Sequence, residues 1–160
     1  MFLMGIDSGR DKCGASVTLD PIRTSEKYFM GIDPGRDKCG VAVLTSTGEI
    51  KFQRVVVTDE LADVLKTLAT DFTIETVILG NGTTHKAATE KIRAAGLNFL
   101  LVDEKHTTEE ARRLYWQKNP PSGWRKFLPT SMQVPPEPVD ALVAEILVKR
   151  FLERTHNEQS

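Results

Sequence analysis

The chain has 160 residues, of which 40% are hydrophobic, and its 21 Lys and Arg nearly balance 22 Asp and Glu to give a net charge of −1. This composition is typical of one soluble globular domain, and no apolar run approaches the roughly 20 residues that a membrane helix requires. The first residues lack the basic region and long apolar core of a signal peptide, so we expect a cytoplasmic protein without a membrane partner. The near-neutral charge neither favours nor excludes binding to nucleic acid.

An eleven-residue segment occurs twice near the start of the chain. Residues 4–14 (MGIDSGRDKCG) return as residues 30–40 (MGIDPGRDKCG), and only Ser8 against Pro34 differs. Each copy is an apolar run that ends in Gly-Ile-Asp, followed by a glycine-bearing turn and Cys-Gly. Such a turn presents an aspartate at the end of a strand, where the backbone leaves room for a phosphate or a metal ion. A fold of this size needs that element once, so one copy is predicted to be the working strand.

The residues that follow each copy indicate that the second copy belongs to the fold. An apolar strand, a turn at Ser46–Gly48 and another apolar strand follow the second copy, which is the pattern of a hairpin. The first copy is followed by a break at Asp20-Pro21. We therefore predict that residues 1–28 form an N-terminal extension carrying a partial duplicate of the first strand, and that Asp7 is not catalytic.

Beyond the hairpin, hydrophobic periodicity predicts helices that alternate with strands. The sequence Thr107–Glu110 (TTEE) is a capping box at the start of the third helix, and Gly96 stops the second. Three antiparallel strands followed by alternating helices and strands imply an α/β fold, in which a mixed sheet is flanked by helices. In chain order, the predicted elements are a helix over 59–72, a buried strand over 75–80, a helix over 83–95, a buried strand over 97–102, a helix over 107–118, a proline-rich loop over 119–138, a helix over 139–154 and a polar tail over 155–160.

Three acidic residues lie where predicted elements begin or end. Asp33 ends the first strand, Glu104 follows the strand over 97–102, and Asp140 begins the last helix. Each has a local alternative, as a turn former, a solvated turn residue or a charge favoured by the helix dipole, but their joint placement favours a site. Clustered carboxylates repel one another unless a cation joins them, and hard oxygen ligands suit Mg²⁺ or Mn²⁺. We predict that these three residues are catalytic and bind Mg²⁺ or Mn²⁺ for phosphodiester cleavage.

The segments GIDPGRDKCGVAV, VDEK and PVDALVAEILVKRF carry a family resemblance. They resemble the YqgF/RuvX-like group of the ribonuclease H-like superfamily, which is related to Holliday-junction resolvases, and the match covers residues 29–152. The resemblance implies a ribonuclease H-like nuclease domain over residues 29–154, with Asp33, Glu104 and Asp140 as its catalytic acids. It also implies nuclease activity on branched DNA or on the precursor of small-subunit ribosomal RNA.

Basic and aromatic side chains are concentrated between residues 112 and 127. Interleaved cations and rings suit phosphate contact combined with base stacking. The alternative is structural, with the aromatic side chains anchoring the helix and the loop while the arginines form a solvated face. Lys105 stands where the family usually carries Arg, so it keeps the charge without the bidentate fork. The predicted nucleic-acid-binding residues are Lys38, Lys105, Arg112, Arg113, Trp124, Arg125 and Lys126.

The predicted function is a divalent-metal-dependent endonuclease that hydrolyses phosphodiester bonds of structured nucleic acid, either ribosomal RNA precursor or branched DNA. One alternative is a catalytically idle nucleic-acid-binding module of the same fold. Another is an ATP-binding protein of the actin and sugar-kinase type, whose two lobes exceed what 160 residues supply. The two cysteines, Cys13 and Cys39, are predicted to be buried thiols. The oligomeric state, monomer or dimer, stays open.

Overall fold

The computed structural model describes residues 26–136 and 138–160. The first copy of the duplicated segment, including Asp7 and Cys13, therefore lies outside the described residues. The strands are β1 (Tyr28–Asp33), β2 (Lys38–Thr45), β3 (Ile50–Val57), β4 (Ile74–Gly80) and β5 (Phe99–Val102). The helices are α1 (Leu61–Asp71), α2 (His85–Ala94), α3 (Thr107–Lys118) and α4 (Asp140–Glu158), with short 3-10 turns at Thr58–Glu60, Gly123–Phe127 and Thr130–Met132.

The five strands form one mixed sheet in the order β3-β2-β1-β4-β5. The hairpin strands β1, β2 and β3 pair antiparallel, whereas β4 pairs parallel with both β1 and β5. Gly48 has a φ of 89° in the turn between β2 and β3, a backbone conformation that favours glycine. The predicted α/β architecture, antiparallel hairpin strands plus parallel strands flanked by helices, is confirmed.

Helices cover both faces of the sheet, because side chains alternate between the two faces along each strand. On β1, Met30 and Ile32 are fully buried in the core against α1 and α2. Phe29 lies in the second core, which packs against α4 and also includes a residue of α3. Residues Gly31 and Asp33 share the face of Phe29, so Asp33 lies at the end of the strand on the α4 side.

Helix α4 packs closely against β1 at Gly31. A Cβ at Gly31 would overlap the Ala144 carbonyl and lie 2.9 Å from Val148 Cγ2. We expect Gly31→Ala to lower the free energy of unfolding by about 1–3 kcal/mol, as overpacking a core does, and urea denaturation measures it. Gly82→Ala is the matched control, because a Cβ there would approach nothing closer than 3.4 Å. Equal stability of the two variants would contradict this account of the packing.

The strand predicted over 97–102 is shorter and less buried than expected. It spans Phe99–Val102 at the edge of the sheet, and Leu100 and Leu101 are each 47% exposed. Because β4 is the only strand that pairs with it among residues 26–136 and 138–160, the apolar run is not a buried central strand there.

Two helix boundaries also differ from the predictions. Helix α4 continues to Glu158, so most of the predicted tail over 155–160 is helical. The capping box predicted at Thr107 does not form, because Thr107 is the first helical residue and His106 is the N-cap without a side-chain bond.

Two further predictions concern the membrane and the cysteines. Within the described part of the chain, the helices are too short or too polar to cross a membrane. Cys39 is a free thiol and is buried, as predicted. Its Sγ lies 3.4 Å from Thr58 Oγ1.

Candidate carboxylate site

Asp33 is the last residue of β1 and lies between two glycines of the neighbouring strands. In the antiparallel register Asp33 pairs with Gly40 of β2. In the parallel register Ile32 pairs with Leu79 of β4, which places Gly80 beside Asp33. Laterally paired residues point to the same face of a sheet. In the row Gly40, Asp33 and Gly80, only the middle residue therefore has a side chain, the Asp33 carboxylate.

The first turn of α4 occupies the space above one of these glycines. A Cβ at Gly40 would overlap the Asp140 carbonyl and lie 2.7 Å from the Ala141 amide nitrogen. The missing side chain lets the N-terminus of α4 come down onto β2 directly across from Asp33. This close approach brings Asp140 to the end of β1.

Glu104 occupies the space above the other glycine. A Cβ at Gly80 would overlap Glu104 Oε1 and lie 2.6 Å from its Cδ, and a Cβ at Gly82 would lie 3.4 Å from Oε2. The Glu104 side chain therefore lies across the end of β4. The structure thus brings together the three acids that the sequence predicts as a site.

The turn after β5 holds Glu104 in this position. The Lys105 amide donates to Asp103 Oδ1 at 3.0 Å, and His106 adopts a φ of 65°. The Thr107 amide donates to the Glu104 carbonyl at 2.9 Å, and the Thr107 hydroxyl donates to the same oxygen. Thr107, predicted as a cap, instead closes the turn that carries the glutamate.

Arg150 of α4 connects this turn to the last helix. Its guanidinium donates to the Lys105 carbonyl at 3.1 Å and forms an ion pair with Glu110 of α3. No sequence pattern indicates this role of Arg150, because the role depends on the packing of α4 against α3.

The carboxylates of the site disturb one another's ionisation. Burial is the main cause that raises the pKa of Asp33 from 3.8 to about 7, and the nearby carboxylates of Glu104 and Asp140 raise it further. Burial is also the main cause that raises the pKa of Glu104. Perturbed carboxyl groups of this kind are concentrated at functional sites, although structural clusters also produce them.

The donor chemistry of the site fits a hard divalent cation. Among residues 26–136 and 138–160, no group of three or more His, Cys, Asp or Glu side chains is already arranged to hold a metal ion. However, Glu104 Oε1 is buried without a hydrogen-bond partner in the same part of the chain, and its carboxylate faces that of Asp33. A proton or a cation satisfies such a pair, and oxygen-only donors suit Mg²⁺ and Mn²⁺.

The side chains of the predicted nucleic-acid-binding residues form no hydrogen bond or ion pair with the three acids in the part of the chain that the structure describes. Lys38 begins β2 two residues before Gly40, and Lys105 follows Glu104, so both exposed lysines flank the carboxylates in the chain. Arg112 and Arg113 are exposed on α3, and the role of these four cations stays a prediction.

The loop between α3 and α4 exposes aromatic and basic side chains together. Trp124 is 70% exposed and Phe127 is 79% exposed, and Arg125 and Lys126 between them are also exposed. Gln133 braces this turn by donating to the Arg125 carbonyl at 2.9 Å and to a second carbonyl at 3.0 Å. The rings of Trp124 and Phe127 therefore face solvent. They do not anchor the loop to the core, which was the structural alternative for these aromatic residues.

Comparison with solved structures finds a match whose TM-score exceeds 0.5, and this match agrees with the architecture. RuvC of Thermus thermophilus in complex with a Holliday junction substrate superposes with a TM-score of 0.53 at 14% identity, covering 81% of this chain and 96% of RuvC. A second T. thermophilus RuvC structure gives a TM-score of 0.47 at 14% identity, covering 80% and 96% of the two chains. A ROK family transcriptional regulator, a homologue of E. coli MLC protein, gives 0.38 at 16% identity, covering 56% and 31%.

The chain has the ribonuclease H-like fold that RuvC shares. No protein-family profile matches the sequence. No curated protein sequence matches it either. The narrower resemblance to the YqgF/RuvX-like group therefore stays a prediction.

Proposed function

We propose that this protein is a divalent-metal-dependent endonuclease that hydrolyses phosphodiester bonds in structured nucleic acid. The observation that carries the proposal is the convergence of Asp33, Glu104 and Asp140 over two glycines at one end of the sheet. A ribonuclease H-like fold, shared with a protein whose structure contains a Holliday junction substrate, agrees with nucleic acid as the partner.

The three acids act together in the proposed reaction. Asp33 lies at the end of a central strand, and Glu104 and Asp140 approach it over the glycines of the two neighbouring strands. Together they would hold Mg²⁺ or Mn²⁺. Such a cation, when bound, supplies Lewis-acid stabilisation of the charge that develops on the phosphate. Lys38 and Lys105 are proposed to contact the phosphates on either side of the bond that is cut.

The test is a cleavage assay with Mg²⁺ or Mn²⁺ on three substrates: a four-way DNA junction, a linear duplex of the same sequence, and ribosomal RNA precursor. We expect cation-dependent cleavage of the junction or the RNA, abolished by a chelator, and little cleavage of the linear duplex. Binding without cleavage under every condition would contradict the proposal and identify an idle binding module.

The exposed turn at Gly123–Phe127 is proposed to border the path of the substrate. Each lost phosphate contact reduces the slope of log affinity against log salt by roughly 0.7–0.9. We expect Arg125→Ala combined with Lys126→Ala to reduce this slope by about 1.4–1.8 and to weaken binding at low salt. Fluorescence anisotropy over a salt series measures the slope.

The control is a double variant of exposed cations on the face of the sheet opposite α3 and α4, Lys66→Ala on α1 with Arg93→Ala on α2. It removes the same charge and is expected to leave the slope nearly unchanged. An equal reduction of the slope in both double variants, each folded by circular dichroism, would show that net charge alone matters. An unchanged slope in the variant of Arg125 and Lys126 would show that the turn does not contact the substrate.

A further inference from the structure

Helix α4 contains a fully buried carboxylate that the catalytic proposal does not use. The side chain of Glu145 is 0% exposed, and it lies one turn along α4 from Ala141. The Lys149 ammonium contacts Oε1 at 2.6 Å, and the Lys118 ammonium, from the end of α3, contacts Oε2 at 3.1 Å. Burial raises the pKa of the Glu145 carboxyl, but hydrogen bonds from Lys149, Gln53 and Lys118 outweigh it, and the net pKa is lowered.

Gln53 connects this buried carboxylate to the start of the helix. It lies on β3 and pairs with Ala42 of β2. Its amide nitrogen donates to Glu145 Oε2 at 2.7 Å and to the Ala141 carbonyl at 3.1 Å. Both protons of one amide group are thus bound by α4, and Ala141 directly follows Asp140. The Gln53 side chain therefore joins the sheet to the first turn of α4, the turn that carries Asp140.

The two hydrogen bonds of Gln53 are directional, so they restrict the geometry of α4 relative to β3. An apolar group of similar volume often stabilises a core as well as a buried ion pair does. A directional pair of hydrogen bonds, in contrast, fixes the height and rotation of the first helical turn relative to the sheet. Contact with Gly40 limits how closely that turn approaches, and Gln53 prevents it from moving away.

We propose that Gln53 and Glu145 are positioning residues for Asp140. They hold the first turn of α4 at the distance from β1 at which the Asp140 carboxylate acts with Asp33. This inference rests on the proposed function of the carboxylate site. Residues that orient metal ligands typically affect metal affinity or activity by 10–100-fold when they are changed.

The experiment compares Gln53→Leu with Lys149→Gln. The leucine has a similar volume and no donor, so it removes the bonds to Glu145 and to the Ala141 carbonyl. Lys149→Gln removes a charged partner of the same buried carboxylate but leaves the first turn tied to the sheet. Three quantities are measured: the rise of the unfolding temperature with Mn²⁺ concentration, the cleavage rate over the same concentrations, and the affinity for nucleic acid without divalent cation.

For Gln53→Leu we expect the Mn²⁺ concentration that gives half of the maximal effect to rise about 10–100-fold. The rise should be seen both in the unfolding temperature and in the cleavage rate. Affinity for nucleic acid without the cation should stay unchanged, and Lys149→Gln should keep the original half-effect concentration. If Gln53→Leu does not fold, Gln53→Asn, whose shorter side chain does not span both acceptors, supplies the same comparison.

Two results would overturn the inference. One is a Gln53 variant that unfolds more easily but keeps its Mn²⁺ dependence, which would leave Gln53 a structural residue only. The other is an equal shift in both variants, which would indicate general loosening of α4. Failure of the proposed function is a different result, because the unsubstituted protein would then show neither a Mn²⁺-dependent unfolding temperature nor cleavage, and the inference would fall with it.

Discussion

Replacing any one of Asp33, Glu104 and Asp140 by its amide is expected to lower metal-dependent cleavage by at least about 10²-fold. The reason is that metal positioning and the stabilisation of transition-state charge are lost together, which amounts to several kcal/mol, and each 1.36 kcal/mol is a factor of ten in rate. Affinity for nucleic acid without divalent cation should change little. Single-turnover cleavage at saturating protein separates the rate of the chemical step from binding.

Asp37→Asn is the matched control for these three variants. Asp37 is an exposed acid in the loop between β1 and β2, four residues after Asp33, and its side chain belongs to no ion pair in the described residues. We expect its cleavage rate to match that of the unsubstituted protein. Full activity in Asp140→Asn would remove that residue from the catalytic set and, with it, the reason for holding α4 so precisely.

The order of the elements and the three acids were accessible to sequence analysis because both depend on local patterns. Hydrophobic periodicity distinguishes the helices from the strands, and an acid at the end of an apolar run is visible in the sequence. The exposure of Leu100 and Leu101 was not accessible. Whether an apolar strand is central or at an edge depends on which other strands pair with it. The sequence of the strand itself does not indicate those partners.

The glycines of the site illustrate the same limit. Gly40 was part of the repeated segment, but its importance lies in the register that sets it across from Asp33 and beneath α4. Gly80 acquires its role only when the turn after β5 brings Glu104 over it. These are relations between segments far apart in the chain, which hydrophobic patterns do not encode.

Glu145 has a signature in the sequence. It is a lone acid inside the apolar run ALVAEILV of the last helix, and a charge on the buried face of a helix requires partners. The pattern indicates that such partners exist, but not that they are Gln53, Lys118 and Lys149. Those identities depend on how β3 and α3 pack around α4.

Asp33→Asn is expected to stabilise the protein at pH 8 without divalent cation, by about 1–3 kcal/mol, or roughly 3–8 °C in unfolding temperature. The pKa of Asp33 is raised from 3.8 to about 7 in the folded state, so the folded protein binds the proton more tightly than the unfolded chain does. Stability contributed by that proton is complete below about pH 4 and is lost as the pH rises through 7. The variant should therefore match the unsubstituted protein at pH 4 and exceed it above pH 7.

Adding Mg²⁺ at pH 8 is expected to reverse this order. A ligand at 100 times its Kd adds about 2.7 kcal/mol to the free energy of unfolding, and only the protein that retains the Asp33 carboxylate should gain it fully. Differential scanning calorimetry at pH 4 and pH 8, with and without Mg²⁺, measures all four conditions. A variant that is less stable at pH 8 in the absence of cation would show that Asp33 is not under repulsion from Glu104 and Asp140. A variant that gains as much from Mg²⁺ as the unsubstituted protein would mean that the cation binds elsewhere, because stabilisation by a bound ion requires the ligands that hold it.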